Sequence, residues 1–127
     1  MSSQPSTEVQ SRLQESLRAA LKARDTAAVS ALRSAQAAIG NAEAVTPPME
    51  ARAPSGNQHF AGVIEGLGAA EAPRRVLTEE QACEIVRAEI SDRRNAAELY
   101  ERSGHAERAA LLRRGADTLS AVLTNPC

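Results

Sequence analysis

The chain has 127 residues, about one domain's length, and its 15 basic and 16 acidic residues leave a net charge of −1. That balance excludes a global field that would draw in nucleic acid or a membrane, so any such contact has to use a local patch. The apolar share is 43%, but much of it is alanine and only Phe60 and Tyr100 are aromatic, which favours helix and a shallow core.

The start, Met1-Ser2-Ser3-Gln4-Pro5, is polar and lacks the apolar stretch of a signal peptide. No apolar run approaches the roughly 20 residues needed to cross a bilayer. Cys83 lies inside a helical pattern and Cys127 is the last residue. Two such unlike positions make neither a disulfide framework nor a metal set. The expectation is a cytoplasmic protein with no membrane contact, in which Cys83 is a free thiol packed as a small hydrophobe.

A first helix is expected over 7–23, capped by Ser6 or Thr7, with Val9, Leu13, Leu17 and Leu21 recurring every fourth residue and Ala20 on the same side. Asp25 reads as the N-cap of a second helix over 26–44 that puts Leu32, Ala35, Ile39 and Ala42 on one face. The short Arg24-Asp25-Thr26 connection makes these two helices antiparallel neighbours.

The pattern collapses over 45–77, where Pro47, Pro48, Pro54 and Pro73 alternate with Gly56, Gly62, Gly66 and Gly68. Disorder is expected over 46–57, and a short helical turn docking on the bundle is the expectation for Phe60 to Ile64. A third helix, 79–103, opens on a capping box of Thr78 and Gln81. It runs its apolar stripe through Cys83, Val86, Ile90, Ala97 and Tyr100. Gly104 suits the left-handed position that ends a helix. The fourth helix, 105–123, carries Ala109, Leu112, Ala116, Leu119 and Leu123, with Gly115 in its interior at a cost of about 1 kcal/mol relative to alanine. The fold expected is all-α: a four-helix bundle-like single domain of two helical hairpins joined by a long Pro/Gly-rich break.

Chemistry is sparse. His59 and His105 have no cysteine or carboxylate at ligand spacing, and no phosphate loop, nucleophile elbow, HExxH or CxxC is present. No catalytic, metal or cofactor site is expected. Arg93 and Arg94 fall within about 60° of the apolar stripe of their helix. There a guanidinium has to pair with a carboxylate such as Glu43, snorkel to water, or meet a phosphate. Arg74 and Arg75 form a second basic spot before the capping box.

Several segments, taken in order, resemble the GatB/YqeY family. One runs from Arg12-Leu13 through Leu32-Arg33-Ser34-Ala35 to Ile39-Gly40-Asn41-Ala42-Glu43. The other is Leu77-Thr78-Glu79-Glu80 followed by Val86, Ile90, Arg93-Arg94, Ala97 and Tyr100-Glu101. The run from Gly66 to Arg75 is similar to the version in actinobacterial members. The resemblance implies an all-helical accessory domain akin to the tail of the B subunit of the tRNA-dependent amidotransferase, a carbon–nitrogen ligase with glutamine as amide donor. It implies no active site, and association with tRNA or with the amidotransferase and aminoacyl-tRNA machinery. Arg33, Arg74, Arg75, Arg93 and Arg94 are the phosphate contacts expected on that reading. The sequence departs from the family in having no counterpart of the smaller C-terminal helical subdomain before Cys127, and in carrying Arg113 and Arg114 where acidic character is expected. The alternative from the residues alone is a non-catalytic protein-interaction module, self-associating through its Ala-rich helix faces.

Overall fold

The structure, a computed structural model, describes residues 7–44 and 75–123. The readings made for 46–57, for Phe60 to Ile64 and for Ser6 lie outside the described residues. Four helices are described: α1 (Thr7–Ala23), α2 (Thr26–Glu43), α3 (Glu79–Arg102) and α4 (Ala106–Val122). Their ends differ from the sequence reading by at most one residue, because the cap chemistry is local. Asp25 accepts a hydrogen bond from the Ala28 amide at 3.2 Å. The Thr78 hydroxyl accepts from the Gln81 amide at 3.0 Å, while the Gln81 side chain accepts from the Thr78 amide at 2.9 Å.

The domain is all-α, two antiparallel hairpins packed into a bundle. The α3–α4 interface is the most extensive, followed by α2 with α4. The core is thin and alanine-rich: Val9, Leu13, Leu32, Val86 and Leu119 supply its bulk, with Ala31, Ala35, Ala82 and Ala116 fully buried between them. Leu77 is also buried, at 2% exposure. It belongs to the stretch that sequence pattern assigned to the break, and it plugs the core one residue before the Thr78 cap.

Small residues let helices approach. A Cβ added at Gly115 would lie 3.0 Å from the Ala31 Cβ and 3.3 Å from the Ala27 carbonyl oxygen. The glycine that looked like a helix defect is therefore where α4 crosses the start of α2. Cross-links fix the register. The Arg93 guanidinium donates to the Ser30 carbonyl at 3.4 Å, Ser34 Oγ donates to Glu89 at 2.9 Å, and the Arg75 amide donates to the Glu43 carbonyl at 2.8 Å. α2 and α3 are thus antiparallel, and the last two turns or so of α3, with the first two of α4, project past the start of α2.

Two apolar assignments are corrected. Leu21 is 46% exposed and Tyr100 36%. A spacing of four advances about 40° per step beyond a full turn, so the Val9–Leu13–Leu17–Leu21 series drifts off the core, and Ala20 takes the inward position. Tyr100 lies on the projecting part of α3, where α2 no longer covers it. A third correction concerns Cys83. Its side chain is in the core at 1% exposure, as expected, but it is disulfide-bonded rather than a free thiol. The only other cysteine in the sequence is Cys127, which lies outside the described residues.

Candidate binding surface

The two hairpins turn in the same way. In the first, the Asp25 amide donates to the Ala20 carbonyl at 3.0 Å and the Arg24 amide to the Leu21 carbonyl at 3.1 Å. In the second, the His105 amide donates to Tyr100 at 2.8 Å and the Gly104 amide to Glu101 at 3.1 Å. Both are Schellman turns, which need a left-handed residue just past the helix. Gly104 fills that place with φ +87°, and Arg24 fills it with φ +58°. A residue with a Cβ costs about 1–2 kcal/mol in this conformation.

Cations divide sharply between the hairpins. On α3 and α4, Arg87 pairs with Glu84 at 3.6 Å, Arg94 with Asp117 at 3.3 Å, Arg102 with Glu98 at 3.7 Å and Arg113 with Glu101 at 2.7 Å. Arg114 reaches across to Asp25 at 3.5 Å, and Arg108 lies 5.4 Å from the Tyr100 ring centre. Arg93 donates to Ser30 as described, and its Nε is buried without a partner. Among the described residues, Arg12 is the one paired cation of the first hairpin, with Glu8 at 3.1 Å. Arg18, Lys22, Arg24 and Arg33 are exposed and make no ion pair or side-chain hydrogen bond among the described residues. Between Arg18 and Ser34 the only acid is Asp25, already held by the Ala28 amide and by Arg114.

Those observations sort the residues expected to meet phosphate. Arg33 is exposed and shares a groove lining with Arg24. Arg75 is exposed near the far end of α2, about 20 Å from Ser30 along the helix at 1.5 Å per residue. Arg93 and Arg94 are engaged within the bundle, though not with Glu43, which accepts from Gln10 at 3.1 Å. Arg74 lies outside the described residues. Sequence reasoning missed Arg18, Lys22 and Arg24, whose available signal was a run of cations from 18 to 33 broken by one acid.

Two of these cations, Arg24 and Arg33, line a groove of about 810 Å³ along α2. Among the described residues, Leu21 and Val29 give it apolar surface, and Thr26, Ser30 and Ser34 complete its lining. His105 makes an edge-on contact with the Tyr100 ring at 5.9 Å and no helix-capping bond. Among the described residues no three His, Cys, Asp or Glu side chains are placed to hold a metal ion, and no helix is long and apolar enough to cross a membrane. A scan against family models and searches of curated proteins and of solved structures return no match to this chain.

Proposed function

We propose that this chain is a small accessory domain that works by docking, with the machinery of tRNA-dependent amidation as its setting. Its partner is anionic: the phosphates of tRNA, or the carboxylates of an amidotransferase subunit. The family reading rests on the ordered resemblance to GatB/YqeY proteins in the two hairpins. The observation that carries the docking reading is that four cations of the first hairpin, Arg18, Lys22, Arg24 and Arg33, are exposed and unpaired among the described residues, whereas the arginines of α3 and α4 are engaged. Such a group attracts an anion at short range, within a Debye length of about 8 Å at physiological salt.

Affinity capture from a native lysate, with and without ribonuclease, tests this. Recovery of tRNA, or of an amidotransferase subunit that survives the nuclease, is the expected result. If tRNA is the direct partner, filter binding should weaken with salt at a logarithmic slope of about −3 for four phosphates. Recovery of neither partner at low salt overturns the reading. A second reading, self-association, is favoured by Leu99 and Leu111, exposed at 59% and 51% on the projecting end of the second hairpin. Sedimentation across a range of concentrations decides it.

A further inference from the structure

We infer that the groove along α2 is the docking site for an acidic amphipathic helix of a partner protein, with apolar anchors on Leu21 and Val29 and carboxylates on Arg24 and Arg33. The inference rests on the docking reading and selects among the anions it allows. The first support is chemical. An RNA backbone has no use for an apolar floor, and unpaired bases are held by stacking on aromatic rings. Among the described residues the groove has none: Tyr100 is on the projecting end of α3, and the apolar part of the lining is Leu21 and Val29. A helix laid in a groove, by contrast, needs apolar contacts at i, i+3 or i+4 and i+7, with charge on the flanks.

The second support is charge. Arg24 and Arg33 are the charged residues of the described lining and have no partner among the described residues, while the nearest acids are engaged, Asp25 by Arg114 and Glu89 by the Ser34 hydroxyl. The span fits as well. Thr26 to Arg33 covers about 10 Å of helix, long enough to lie along two turns of an opposing helix. The third support is the backbone at Arg24. The same turn in the other hairpin is made by Gly104. At Arg24 the backbone is left-handed, and the side chain makes no bond among the described residues. The turn thus sets an unengaged guanidinium in the lining of the groove.

The test uses the full chain and three fluorescent probes. One is a 14-residue peptide with leucine at positions 1, 4, 8 and 11 and glutamate along both flanks. The second has the same composition with the leucines scattered, and the third is a single-stranded RNA of equal length. The amphipathic peptide should bind at least about tenfold more tightly than the scattered one, since seating one leucine side chain is worth that factor or more. Leu21→Asp, at an exposed position that tolerates the change, should remove that preference. Arg24→Gly should weaken binding several-fold while raising the unfolding midpoint, a combination that misfolding cannot produce.

Equal affinity for the two peptides, preference for the RNA, or unaltered binding by Leu21→Asp and Arg24→Gly each overturns the proposal. So does a dimer in sedimentation that Leu21→Asp dissociates, because the occupant is then a second copy. So too does tighter peptide binding after Phe60→Ser and Ile64→Ser, which would make the chain's own segment the occupant. If lysate capture recovers tRNA or an amidotransferase subunit and Leu21→Asp leaves that recovery intact, the docking reading stands and the groove assignment falls.

Discussion

Arg24 and Gly104 hold the same left-handed position in two copies of one turn, and only one of them is the residue that position favours. Exchanging Arg24 for glycine removes a Cβ clash at the cost of a more flexible unfolded chain. The expected net gain is about 1 kcal/mol, read as a higher urea midpoint at constant slope. Gly104→Ala should lose about as much, although nothing lies within 4 Å of the added methyl, because the penalty there is in the backbone.

Gly115 and Gly40 test the opposite pair of causes. Both are interior helical glycines, and alanine improves helix propensity at each by about 1 kcal/mol. At Gly40 a Cβ meets nothing within 4 Å, so Gly40→Ala should stabilise. At Gly115 it meets Ala31 and the Ala27 carbonyl at 3.0 and 3.3 Å. Overpacking of that kind costs about 1–3 kcal/mol, enough to cancel the propensity gain or reverse it. Denaturant melts should therefore show a higher midpoint for Gly40→Ala and an unchanged or lower one for Gly115→Ala.

Arg93 belongs to the junction of α2, α3 and α4. Its guanidinium reaches the Ser30 carbonyl, and its NH1 lies 3.6 Å from a Cβ built on Gly115. Arg93→Ala should cost about 1–2 kcal/mol through lost packing. Arg93→Met fills similar volume and removes the unpartnered Nε, and should match or exceed the parent stability. Unchanged stability in Arg93→Ala would place the residue outside the structural framework.

The disulfide at Cys83 anchors to a buried position on the first turns of α3. Reduction with a dithiol should lower the urea midpoint by an amount equivalent to about 2–4 kcal/mol. Cys83→Ser should show that loss without reductant and no further change with it. A midpoint indifferent to the reductant would contradict the bond.

Much of the architecture was legible because it is written in local chemistry. Asp25, the Thr78–Gln81 box and Gly104 define helix ends through contacts spanning at most a few residues, and a single sequence displays them. What sequence hid was relational. Leu77 sits in a stretch with no periodicity, and only the approach of two hairpins shows it as core. Gly115 reads as a flaw until Ala31 is placed against it. At the surface, Arg93 and Arg94 drew attention for lying near an apolar stripe, yet such positions are where cations find internal partners. The free cations stand on the outer faces of α1 and α2, where helical periodicity carries no signal.

A single backbone bond, Arg75 amide to Glu43 carbonyl, fastens the end of α2 to the approach to α3. In polymer terms it brings two positions far apart in the chain to hydrogen-bonding distance, and the burden of that on the bundle is an entropy of closure. That entropy grows only as the logarithm of contour length, about 0.6 kcal/mol for each doubling. The register of the two hairpins is therefore set by the contacts between the helices and by this closing bond, and depends only weakly on the length of chain that a closure spans.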